Sequence, residues 1–292
     1  ADIIGALTAE SLCGIINAYD PRIQSIRMHS GQIDVAANMR RLLEGSGYTT
    51  QQGEVRMQDS YSLRCIPQIH GASRMAIDYV SAVLESEINA VTDNPVVFVD
   101  SGDVFSGGNF HGQPVAIAVD TLGIAVSELG NISERRVAKL IDPALNHGLP
   151  AFLVKTGGVN CGFMIPQYAA AALVSENKVL ANPSSVDSIP TSAGQEDHVS
   201  MGTIGARKAA VIISHVRSVL GIELMSAAQA MDLQPKKAVM GKGTGAAYKA
   251  LRDKISFMEN DRILYKDQKI AADLIADGTL VGEVERAIGE LA

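Results

Sequence analysis

Apolar side chains recur along most of this chain at intervals of three and four residues, the spacing of helices that bury one face. Between Gln32 and Glu44 they fall at Ile33, Ala36, Ala37, Met39, Leu42 and Leu43, and Gly45 and Gly47 then end the run. Ala72–Ala90, Gln113–Ile141, Ile165–Ala181 and Met201–Met231 repeat the pattern over longer spans. Gln113–Ile141 is so rich in Ala, Val, Ile and Leu that it reads as buried on nearly every side, at a bundle centre or a subunit interface. Its Glu134-Arg-Arg136 segment is expected to leave that core. A helix is expected from Thr8 to Asn17, and shorter amphipathic helices across Ala246–Ala292. Asp20-Pro21 sets a capping side chain before a proline at the first helical position, a start signal. One segment departs from helical spacing: Val96–Val99 and Val104–Phe105 flank Asp100-Ser-Gly-Asp103, a hairpin pattern with its turn chemistry. The expected fold class is mainly α, a bundle of long helices with one short β-hairpin.

Composition narrows the function. Hydrophobic residues make up 47% of the 292, aromatics 4%, and Trp is absent. The core must therefore be packed from Ala, Val, Leu, Ile and Met. A net charge of −7 argues against a nucleic-acid partner. Asp, Glu, Arg and Gly interrupt the apolar runs, so no membrane span is expected. Cys13, Cys65 and Cys161 are odd in number and far apart, with neither metal spacing nor a disulfide framework. A reducing cytoplasm is the expected setting, and no secretory leader is read at the N-terminus. Gly241-Lys-Gly-Thr-Gly-Ala-Ala247 fits a loose G-x-G-x-x-A pattern but follows no strand, so no dinucleotide site is expected. His29, His70, His147 and His215 lack a carboxylate or cysteine at ligand spacing and read as structural; no metal site is expected.

Polar stretches between the helices hold the candidate chemistry. In Gln58-Asp-Ser-Tyr-Ser-Leu-Arg64, Tyr61 and Arg64 share a face of a helical turn. A guanidinium beside a phenol favours the phenolate, and its fork matches a carboxylate; an ordinary surface arginine beside a half-buried tyrosine gives the same pattern. Ser106-Gly-Gly-Asn-Phe-His-Gly112 projects Phe110 and His111 from a tight turn. Ser188–Met201, with Pro190 and Gly194, is an irregular segment between two helices. It carries Gln195, Glu196, Asp197 and His198 in succession. A solvated helix start, with Thr191 or Ser192 as cap and acids in the first turn, is the plain alternative.

Taken together, Gln58–Arg64, Thr92-Asp-Asn-Pro95, Gly107-Gly-Asn-Phe-His111, Ser133-Glu-Arg-Arg136 and Gln195-Glu-Asp-His-Val-Ser-Met201 resemble the aromatic amino-acid ammonia-lyases, most closely the members that act on histidine. The motifs stand in family order, and the likeness covers nearly all 292 residues but only the C-terminal part of the family pattern. The resemblance implies a helical, cytoplasmic homotetramer that converts L-histidine to urocanate and ammonia. It implies an electrophilic methylidene-imidazolone ring cyclised from Ala-Ser-Gly. This sequence contains no such tripeptide, so residues 1–292 are expected to be a C-terminal part, inactive without an N-terminal segment. Tyr61 is then the candidate base and Arg64 the carboxylate clamp. Glu196 holds the substrate imidazole or assists proton transfer, Phe110 shapes the pocket, and Gln58 and Gln195 are hydrogen-bonding neighbours.

Glu196 discriminates among substrates, because an unmatched buried carboxylate is costly and an imidazole N–H repays it. Relatives acting on phenylalanine or tyrosine carry Gln near this place. The alternatives are a phenylalanine or tyrosine lyase or aminomutase of the same fold, and a non-catalytic helical oligomerisation module. The fumarase and aspartase group is a weaker match: Asn182-Pro-Ser-Ser185 is similar to its mobile loop, but the Met-Pro-x-Lys continuation is absent.

Overall fold

A computed structural model of the chain describes residues 1–235 and 237–292. Lys236, in the polar stretch Asp232–Gly245 that reads as a loop from the sequence, lies outside the described residues. The fold is mainly helical. Its helices are α1 (Asp2–Ser11), α2 (Pro21–Ser25), α3 (Ser30–Leu42), α4 (Tyr61–Arg64), α5 (Ile66–Ile88), α6 (Gln113–Ile141), α7 (Met164–Leu180), α8 (Gly202–Leu233), α9 (Lys242–Arg252), α10 (Tyr265–Ala276) and α11 (Thr279–Ile288). The hairpin forms where the turn chemistry placed it, as β1 (Val96–Phe98) and β2 (Asp103–Phe105), pairing Val96 with Phe105 and Val97 with Val104. Asp20 caps α2 by accepting from the Arg22 backbone N–H.

The long helices α6 and α8 make the largest helix–helix contact and run in the same direction. Ala116 meets Gly202, Asp120 meets Gly205, Gly123 meets Ile212, Gly130 meets Val216, and Arg136 meets Glu223. α5 runs against α6, with Ser73 bonded to the Ala125 carbonyl and His70 beside Arg136. α7 also runs against α6, through Gln167 to Glu134 and Asn177 beside Gly130. Both N-termini of the central pair therefore lie at one end of the bundle and both C-termini at the other.

Three expectations are corrected. The first helix is α1 at Asp2–Ser11, not Thr8–Asn17; all ten of its residues are buried, so no polar stripe marks its period. Glu134 and Arg136 do not leave the core: they are 2% and 0% exposed, and Arg135 alone of the three points outward. Glu134 accepts from Gln167 Nε2 at 2.9 Å, and for Arg136 the reason lies across the helix pair. Glu223 of α8, itself wholly buried, accepts from Arg136 Nε at 2.5 Å and Nη2 at 2.8 Å, and from the hydroxyls of Ser133 at 2.6 Å and Thr8 at 2.7 Å. Finally, α6 and α8 are long and apolar enough to cross a membrane, but more than half of each is buried inside the protein. They pass the length test because they are core helices.

α3 and α5 cross where Gly31 faces Gly71. A Cβ on Gly71 would stand 2.5 Å from the Gln32 nitrogen and 2.7 Å from its Cα, both backbone atoms that cannot rotate away. Gly71→Ala is therefore expected to cost about 1–3 kcal/mol through forced separation of the two helices. An unchanged urea midpoint would show that the crossing is not close-packed.

Candidate active site

Two polar clusters contain the residues singled out above. The first is the single turn α4. Its carbonyls are held from inside: Tyr19 Oη donates to the Leu63 carbonyl at 3.1 Å, and Arg136 Nη1 reaches the Ser62 carbonyl at 3.5 Å. The outward face carries the chemistry. Tyr61 is 69% exposed, and the Arg64 guanidinium lies 4.7 Å from its ring centroid. The shared face was legible from the i, i+3 spacing; the stacking of the cation over the ring, rather than beside the hydroxyl, was not. Arg64 Nε is buried and has no hydrogen-bond partner, so the fork retains a free donor. Gln58 is exposed and shares with Arg64, Asp59 and Asn17 a cavity of about 230 Å³.

The second cluster forms where the segments leading into α6 and α8 meet. Gln195 and Glu196 are exposed, so the burial cost expected of an unmatched Glu196 carboxylate does not arise within this chain, and Phe110 is 56% exposed. Between Thr191 and Glu196 the chain doubles back, with Ser192, Ala193 and Gly194 all at positive φ. Thr191 N donates to the Glu196 carbonyl at 2.9 Å, and Glu196 N returns a bond to the Thr191 carbonyl at 3.3 Å. Glu196 Oε2 accepts from Thr191 Oγ1 at 2.6 Å. That hydroxyl, with the Ser192 hydroxyl second, lowers the Glu196 carboxyl below its ordinary value and keeps it ionised. His111 and His198 lie against one another here, 5.3 Å between ring centroids.

The two clusters do not meet within one chain. Gln113 at the start of α6 adjoins Phe110 and His111, whereas Arg136 near its end touches the Tyr61 turn. Twenty-three residues of helix at 1.5 Å each separate them by roughly 35 Å. So Tyr61, Arg64 and Gln58 lie together, Phe110, Gln195 and Glu196 lie together, and the groups sit at opposite ends of α6.

Sequence reasoning missed Glu223. It stands in the apolar run Val219-Leu-Gly-Ile-Glu-Leu-Met225, at nearly the same depth along α8 as Arg136 along α6. A lone acid in a core helix requires a buried partner, and that was the available signal. His70 proves structural as expected, its Nδ1 2.8 Å from Asp2 Oδ1, and His215 bonds Asn177 at 2.9 Å.

The family model described as aromatic amino acid lyase matches residues 1–253. Histidine ammonia-lyase 2 of Fusobacterium nucleatum is 62% identical over 292 residues, which are the whole of this chain and 57% of that protein. The histidine ammonia-lyase of Alkaliphilus oremlandii is 56% identical over 288 residues, 99% of this chain and 56% of that protein. The chain thus spans a little over half the length of the curated relatives it matches. Among solved structures, histidine ammonia-lyase from Trypanosoma cruzi superposes with a TM-score of 0.90 at 43% identity, covering 99% of this chain and 55% of that one. A tyrosine aminomutase from Streptomyces globisporus superposes with a TM-score of 0.95 at 35% identity, covering all of this chain and 59% of that one.

Proposed function

This chain belongs to the aromatic amino acid lyase family, and from that premise we propose that it is the C-terminal helical part of a cytoplasmic histidine ammonia-lyase, which eliminates ammonia from L-histidine to leave urocanate. The observation that carries the choice of substrate is Glu196. Its carboxylate is exposed at the mouth of the second cluster and held ionised by the Thr191 hydroxyl. A charged acceptor suits the N–H of an imidazole and finds nothing to bind on a phenyl ring.

The roles follow from what each group can donate or accept. Arg64 offers the terminal nitrogens of its fork to the substrate carboxylate, while its Nε–H lies buried. The outward-facing Tyr61 oxygen takes the β-proton. The C–H electron pair becomes the new double bond, and the C–N pair leaves with ammonia. Glu196, with its lowered pKa, is a poor base at neutral pH and a good acceptor, which assigns it to holding the ring. Gln58 and Gln195 supply neutral hydrogen bonds at the rims.

The family's methylidene-imidazolone belongs with this set. Phe110 presents an exposed ring without an aromatic partner among the described residues, and such a face suits packing against a planar conjugated ring. When bound, that group supplies the electrophilic carbon that makes the amino group a better leaving group. No Ala-Ser-Gly occurs in these residues, so a segment N-terminal to them would supply it. With Tyr61 and Glu196 at opposite ends of α6, a complete site requires ends contributed by different copies, as in a homotetramer.

A second reading keeps the fold and changes the substrate to tyrosine, favoured by the 0.95 TM-score with a tyrosine aminomutase. Backbone shape does not read a side chain; Glu196 argues against phenylalanine, whose ring has no donor, while a tyrosine hydroxyl could also donate to it, so the substrate assay separates histidine from tyrosine. The test is an assay of the intact oligomer against histidine, tyrosine and phenylalanine. Urocanate, followed by its ultraviolet absorbance, is expected from histidine alone, and none from the isolated 292-residue chain. Glu196→Gln is expected to weaken histidine binding more than that of an analogue lacking the ring N–H. Turnover of tyrosine by the wild type, or urocanate release by the isolated chain, would refute the reading.

A further inference from the structure

His111 and His198 come from segments 87 residues apart, each beside a residue assigned to substrate. His111 follows Phe110, and His198 lies two residues beyond Glu196. His111 Nε2 is 3.2 Å from His198 Nδ1 and 3.2 Å from the His198 carbonyl oxygen. The Gln113 backbone N–H donates to His111 Nδ1 at 3.3 Å. A ring nitrogen that accepts carries no proton, so neutral His111 bears its hydrogen on Nε2. That hydrogen faces two acceptors, the His198 carbonyl and the unprotonated Nδ1 of His198. The rings are thus in complementary tautomers, each set by a neighbour.

We propose that His111 and His198 are positioning residues, an imidazole pair that ties the loop presenting Phe110 to the loop presenting Glu196 and so fixes the position of the Glu196 carboxylate, which holds the substrate ring, relative to Phe110, which lines the pocket. The Thr191–Glu196 bridge pins the Glu196 loop only to itself. The histidine pair supplies the direct link between the two loops; farther back, Ser185 is tied to α6 by its N–H to Asp120 Oδ2 at 2.7 Å and by Gln113 Nε2 to its carbonyl at 3.4 Å. Neither imidazole forms an ion pair among the described residues, so their orientation is set by these neutral hydrogen bonds. The kinetic consequence rests on the histidine-lyase reading; the geometric one does not.

The test uses the intact oligomer with three variants. His111→Leu removes the donor; His111→Gln keeps an N–H in the place of Nε2; His198→Leu removes only the Nδ1 acceptor. If the pair positions a binding residue, its loss weakens ground-state and transition-state binding alike. His111→Leu is expected to raise KM for histidine about tenfold with kcat changed by less than about threefold, the scale of one net hydrogen bond. His198→Leu is expected to lie between it and wild type, and His111→Gln to recover most of the loss. Amide hydrogen exchange at residues 107–112 and 192–200 should quicken together in His111→Leu and slow again in His111→Gln. Should His111→Leu fail to assemble, His198→Leu carries both measurements. Exchange that follows this order without any histidine turnover would uphold the pair and sink the substrate reading. Unchanged exchange and KM in both leucine variants, or a glutamine variant as impaired as the leucine one, would overturn the proposal.

Discussion

Tyr61→Phe is expected to lower the turnover number of the intact enzyme by about a hundredfold or more, the usual contribution of a positioned general base. The substitution keeps the ring, and with it the stacking of Arg64 at 4.7 Å, so the turn α4 and the carboxylate fork should remain in place. What goes is the hydroxyl, the group assigned to the β-proton. The loss should therefore fall on kcat, with KM for histidine little altered. Arg64→Ala offers the contrast, since removing the fork should raise KM as well as slow the reaction through a misplaced substrate. The measurement is steady-state kinetics on variants shown to form the electrophile and the oligomer. Near-normal kcat in Tyr61→Phe would remove Tyr61 as the base and return Glu196 to that role, against the hydroxyl bonds that hold it ionised.

The second large effect is on stability. Arg136→Met should destabilise the protein by about 3–5 kcal/mol, because it strands a carboxylate inside the core. Glu223 has no exposed surface, and two of its four side-chain hydrogen bonds come from Arg136. The hydroxyls of Thr8 and Ser133 remain, but neutral donors do not cancel a buried charge. Against a total stability of about 5–15 kcal/mol, this loss shifts a urea midpoint far to lower concentration. The double variant Arg136→Met with Glu223→Leu should recover part of it by removing both charges, though Thr8 and Ser133 then lose an acceptor. A single variant as stable as wild type would mean that water or another donor reaches Glu223. The turn should also respond, since Arg136 Nη1 supports the Ser62 carbonyl between Tyr61 and Arg64.

Local patterns by themselves determined the long helices, the hairpin and the capped start at Asp20, because each depends on contacts within a few residues, although α5 begins at Ile66, six residues before the Ala72 read from the spacing. Gln113–Ile141 was read to the residue, and Tyr61 and Arg64 were placed on one face by spacing alone. The motifs that pointed to the family were likewise local strings. α1 was misplaced because a helix buried on all sides has no polar face to reveal its period. Arg136 was read as leaving the core because a charge is ordinarily solvated; what kept it inside was Glu223, 87 residues away on a parallel helix. The distribution of the site was also beyond the sequence: Tyr61 and Glu196 are parts of one proposed site, yet the length of α6 holds them at opposite ends of the bundle. The pairing of His111 with His198 depends on two loops meeting at the start of the central helices. Local periodicity and capping are written in neighbouring residues, whereas charge pairs, tautomers and the separation of clusters depend on which helices pack together and in which direction.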